Sequence, residues 1–155
     1  MLLISRDNAK SALQKMGLFP ATRWAYRRLN RKIREQGHRE IDFYSAFAEP
    51  STLCFDIGAN LGQKTEVFLA CGARVITVEP NPHCRSALEY NFAGNSQCEL
   101  VFMAVGPSES VIELFTHLAD STAGARPDWD TKIFGIGRRI SPVSVPMTTL
   151  DALIA

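Results

Sequence analysis

Two kinds of hydrophobic spacing divide the chain near residue 50. Before that point apolar residues recur at helical intervals in charged surroundings: Trp24, Leu29 and Ile33 stand four to five residues apart, while Arg23, Arg27, Arg28, Arg31, Lys32 and Arg34 cover most of the remaining surface. This predicts helices over 6–17 and 22–38, parted by Gly17-Leu18-Phe19-Pro20, because glycine and proline end one helix and start the next. From Ser51 onward short apolar runs alternate with helical periodicity. Leu53 to Ile57 reads as a buried strand, Gly62 to Cys71 as a helix closed by Gly72, and Arg74 to Glu79 as the next strand. Pro82 opens a helix to about Phe92, where a ring without an amide hydrogen suits the first turn. Glu99 to Val105 reads as a third strand.

Strand, helix, strand, helix, strand implies parallel pairing through right-handed crossovers, and so half of a doubly wound α/β sheet. After it, Gly106-Pro107-Ser108 turns into Val111 to Phe115, an alternating strand expected to run antiparallel to its neighbour. Residues 117–139 read as a long loop and Ile140 to Met147 as extended. Thr149 caps a short helix that follows. The expected organisation is a basic helical leader over 1–50 and a domain over 51–155.

Composition narrows the class. With 46% hydrophobic and 21% charged residues the chain suits one globular domain with a real core. No apolar stretch reaches the roughly 18–20 residues of a membrane span, and the apolar start before Arg6, Asp7 and Lys10 is too brief for a signal peptide. Cys54, Cys71, Cys84 and Cys98 form no Cys-x-x-Cys pair, which points to reduced thiols and a cytoplasmic protein. Residues 1–45 hold ten lysines and arginines against four carboxylates, and the remainder holds seven against twelve. Two readings of the basic helix stand: a solvated face packed by a narrow apolar stripe, or an electrostatic contact with an anionic partner such as lipid, nucleic acid or polyanionic substrate.

The strongest chemical signal is Asp56-Ile57-Gly58-Ala59-Asn60-Leu61-Gly62, at a strand-to-helix turn. Small residues there let the backbone approach a ligand. A dinucleotide fold would place a glycine where Asn60 stands and gain nothing from Asp56 ahead of the loop, so a nicotinamide oxidoreductase is disfavoured. S-adenosylmethionine carries a sulfonium and an ammonium, which a carboxylate such as Asp56 suits directly or through water. Glu79 ends the second strand 23 residues beyond Asp56, where a carboxylate can accept from both ribose hydroxyls. Either acid alone reads equally well as a strand-end carboxylate or a helix cap; their joint placement favours a site.

Cys-Phe-Asp-Ile-Gly-Ala-Asn-Leu-Gly-Gln-Lys-Thr at 54–65, Val-Ile-Thr-Val-Glu-Pro-Asn-Pro at 75–82, Met-Ala-Val-Gly at 103–106 and Thr-Thr-Leu-Asp-Ala-Leu-Ile at 148–154 resemble the FkbM family of class I methyltransferases. The resemblance covers residues 51–154. It implies a Rossmann-like, mostly parallel, three-layer α-β-α fold and methyl transfer from S-adenosylmethionine to a hydroxyl of a small molecule or glycan. By the same resemblance Asp56, Gly58, Ala59, Asn60 and Gly62 hold the methionine end, Glu79 the ribose, and Ala104 with Val105 border the adenine. Pro80 and Asn81 shape the turn under the ribose, and Thr65 either orients the loop or serves only its local backbone.

Members of that family continue past a segment like Thr149-Leu150-Asp151 into a strand bearing Lys-Ile-Asp-x-Glu-Gly, which this chain lacks. The expectation is therefore a partial domain, with the open side of the first strand bare and prone to self-association. The alternative function is a noncatalytic cofactor-binding remnant or interaction module. His117, with Asp120 nearby, is the tempting general base, although a lone loop histidine is more commonly solvated; no catalytic residue is assigned. His38 and His83 show no evident partners in the sequence, and no metal ligands cluster.

Overall fold

The computed structural model describes residues 12–13, 16–117, 123–124 and 140–155. The chain is a mixed α/β protein. Helices α1 (Phe19–Leu29) and α2 (Arg31–Tyr44) lead into β1 (Leu53–Ile57), α3 (Gln63–Ala70), β2 (Arg74–Val78), α4 (Pro82–Phe92) and β3 (Cys98–Val101). The second half contains β4 (Ala104–Val105), β5 (Ser110–His117), β6 (Ala123–Gly124), β7 (Ile140–Thr148) and α5 (Leu150–Ile154). The expected helix over 6–17 lies largely outside the described residues, as do most of the expected loop over 117–139 and Asp120.

The first three strands form a parallel sheet in the order β1-β2-β3, with Leu53 opposite Arg74 and Val75 opposite Cys98. The central strand carries the burial: Val75, Thr77 and Val78 are each about 1% exposed. The expectation that Leu53 to Ile57 is a buried strand needs correction. Among the described residues β1 pairs only with β2, and Leu53 and Ile57 stand 45% and 48% exposed. α4 closes the other side, its Cys84, Leu88 and Phe92 packing with Leu61, Leu100 and Phe102.

The third expected strand, Glu99 to Val105, is two. β3 ends because β2, its partner, ends: Val78 lies opposite Val101, and the Glu79 amide donates to the Val101 carbonyl at 3.0 Å. The chain then changes partner, and Ala104 and Val105 pair in parallel with Met147 and Thr148 of β7. β4-β7-β5-β6 is a second sheet, in which β5 runs antiparallel to β7, as its alternation led one to expect. Ile112 and Leu114 face Val143, Val145 and Met147 in a small core that includes Ala104. Thr149 caps α5, its hydroxyl accepting from the Ala152 amide at 3.1 Å.

The leader also departs from expectation. One helix over 22–38 becomes two, broken at Asn30, whose extended backbone and side-chain oxygen cap α2 by accepting from the Ile33 amide. Pro20 falls in the first turn of α1 rather than in a linker. Trp24 and Leu29 do not form the packing stripe: they are 42% and 82% exposed. α1 leans instead on α4 and reaches α3 through Arg27 and Glu66 at 2.6 Å, while α2 packs on α3, where Glu40 meets Lys64 at 2.9 Å. Among the described residues no helix is long and apolar enough to cross a membrane.

Candidate cofactor site

The turn between β1 and α3 is built from three left-handed backbone positions and braced by two buried acids. Gly58 and Gly62 take φ of 79° and 78°, and Asn60 takes 55°. Asparagine is among the few side chains that visit this left-handed region readily. The two glycines serve different ends. A side chain on Gly58 would meet open space, whereas one on Gly62 would run into the Phe92 ring and come within 3.0 Å of Leu88 Cδ2. Gly62 therefore permits close packing of α3's start on α4.

The first amides of the loop are already used. Those of Gly58 and Ala59 donate to the Val78 carbonyl at 2.9 and 3.1 Å, and that of Asn60 donates to Glu79 Oε2 at 2.7 Å. Glu79 Oε1 accepts from the Asn81 amide, also at 2.7 Å. One buried carboxylate thus ties the β1–α3 loop to the β2–α4 turn. Burial pushes its pKa up, the two backbone hydrogen bonds oppose that shift, and the Asp56 charge adds slightly to it.

Asp56 is 8% exposed. Its Oδ2 accepts from the Thr65 amide at 2.8 Å and from the Thr65 hydroxyl at 2.6 Å. Gly62, the residue before α3, has no side chain to cap that helix. The carboxylate of the preceding strand supplies the missing acceptor. Thr65 Oγ1 lies 3.1 Å from Thr77 Oγ1, so the chain of polar groups runs from the loop into β2. Thr65 is fully buried, and its hydroxyl bonds the side chains of Asp56 and Thr77 rather than its local backbone.

Asp56, Gly58, Ala59 and Asn60 line a cleft of about 290 Å3 together with Leu61, Gln63 and Lys64. The last three carry no signal of their own in the sequence beyond standing directly after Asn60. Lys64 is ion-paired with Glu40, and that hydrogen bond holds the Glu40 carboxyl below its ordinary range. Asn60 turns its side-chain oxygen to Cys84 Sγ, 3.8 Å away. Asn81, fully buried, caps α4 by accepting from the His83 amide at 3.0 Å, and Pro80 is half-buried beside it.

Other expectations fall elsewhere. Ala104 packs with Leu114 and Val145 inside the second sheet, and neither it nor Val105 lines the cleft. His83 has a partner the sequence did not reveal: its Nε2 lies 3.4 Å from Thr116 Oγ1, joining α4 to β5. His117 closes β5, and its side chain is outside the described residues. All four cysteines are free, and burial raises the Cys54 and Cys98 thiols. No group of three metal-binding side chains occurs among the described residues.

No family model, curated protein or solved structure matches the chain.

Proposed function

We propose that this chain binds S-adenosylmethionine at the β1–α3 loop and is the donor-binding part of a methyltransferase acting on a hydroxyl of a small molecule or glycan. The observation that carries the reading is the placement of two buried carboxylates, Asp56 and Glu79, around a glycine loop whose first amides are already paired within the protein. A pyrophosphate would need those amides. A cationic ligand with a ribose needs carboxylates instead.

Each oxygen of Glu79 holds one backbone amide and keeps a lone pair for a ribose hydroxyl. Asp56 contributes negative charge beside the methionine end, while Lys64 and the amino end of α3 suit that end's own carboxylate. The open space above Gly58 lets a ligand lie against the backbone. The passage from β3 to β4 supplies the adenine wall through its backbone and Val105 rather than through the buried Ala104. When bound, the sulfonium brings a reactive methyl group. The protein's task is then to align the acceptor oxygen and keep water out, which needs no strong general base. The same reading extends the parallel sheet to a Rossmann-like three-layer fold, and the free thiols suit a reducing compartment, the cytoplasm.

Calorimetric titration with S-adenosylmethionine, S-adenosylhomocysteine and NAD tests the proposal. Binding of the first two and not the third is expected. Binding of NAD alone, or of none, would overturn it.

A further inference from the structure

Among the described residues two hollows larger than the loop cleft lie between the leader and α3 or α4. One is a cleft of about 470 Å3 whose lining includes Arg23, Arg27, Arg28, Arg34 and His38 but a single carboxylate, Glu66. Glu66 is committed to Arg27 at 2.6 Å. Arg28 is stacked on Trp24, 4.4 Å from the ring centre. Arg23 is half-buried and makes no hydrogen bond or ion pair among the described residues. Its pKa is drawn down to about 10, first by burial and then by the Arg27 charge. A guanidinium taken out of water without an acceptor is costly unless an anion completes it.

We propose that this cleft binds the phosphate group of a small phosphate monoester. A dianion offsets the mutual repulsion of Arg23 and Arg27 that Glu66 alone leaves uncompensated, and its oxygens accept the forked donors of both. The hollow is concave and of small-ligand size. A lipid surface or a nucleic acid would instead engage the outward arginines, such as Arg31, whose side chain is 84% exposed. The site is separate from the cofactor loop, so its test involves no adenosyl ligand.

The full chain is titrated with glycerol 3-phosphate by calorimetry, and the Trp24 fluorescence is followed in a Trp129→Phe background. Saturable one-to-one binding is expected, with competition by inorganic phosphate and none by glycerol. Arg23→Gln should weaken it about ten- to a hundredfold, whereas Arg31→Gln should leave it within about twofold. Arg34→Gln, at an exposed residue without an ion pair among the described residues, gives a second measurable loss should Arg23→Gln fail to fold. Absence of saturable binding, equal losses in Arg23→Gln and Arg31→Gln, or attachment to phosphatidylglycerol vesicles that saturating glycerol 3-phosphate does not reduce would each overturn the assignment.

Discussion

Replacing Glu79 by alanine separates bracing from binding. In the ligand-free chain the side chain accepts from the amides of Asn60 and Asn81, both at 2.7 Å, in a nearly water-free setting. Its removal strands two donors, each worth about 1–3 kcal/mol, while relieving the desolvation of one carboxylate. The net expectation is a loss of about 2–4 kcal/mol in unfolding free energy. If the two remaining lone pairs also accept from ribose hydroxyls, adenosyl-ligand affinity falls by a further 1.5–3 kcal/mol or about ten- to 150-fold. Urea denaturation without ligand measures the first quantity. Calorimetry under conditions where the variant is fully folded measures the second. A stability loss with unchanged affinity would refute the ribose contact and leave Glu79 as a brace. Stability unchanged to within about 0.5 kcal/mol would refute the brace itself.

The same carboxylate predicts a pH signature: its folded pKa is raised, so the folded state holds its proton more tightly than the unfolded chain does. Its contribution to stability is complete below the ordinary glutamate value and is lost as pH rises through the raised value, so urea midpoints of wild type should fall relative to Glu79→Gln across that window. A constant difference would count against the burial of an ionising group. Gly62→Ala should cost about 2–5 kcal/mol, combining left-handed strain with a clash on Phe92, whereas Gly58→Ala should cost only about 1–2 kcal/mol. Thermal unfolding ranks them, and equal costs would sink the distinction. Thr65→Val keeps the shape and removes the 2.6 Å hydrogen bond to Asp56, so a loss of about 1.5–3 kcal/mol is expected in urea; no loss would mean that the Thr65 amide alone holds the acid.

Much of the parallel sheet was legible because its signals are local. Gly72 and Pro82 punctuate the chain where α3 ends and α4 begins, and the apolar runs between them have strand length. What was not legible depends on partners distant in sequence. Nothing in Glu99 to Val105 announces that β2 runs out at Val78 and that the chain then changes sheets. Asn30 caps α2 through a local bond to the Ile33 amide, a signal that the charged run around it obscured. Both acids of the site were recognisable by position. Their bonding was not, since Asp56 caps a helix nine residues on and Glu79 reaches back to Asn60.

The first turns of α3 have two neighbours at once. Gln63 and Lys64 face the cleft of the cofactor loop, while Lys64 and Glu66 grip Glu40 and Arg27 of the leader. Breaking the Arg27–Glu66 or Glu40–Lys64 pair therefore acts on the same helical turn that borders the cleft. The leader and the loop thus share one short stretch of α3, residues 63–66, as a common support.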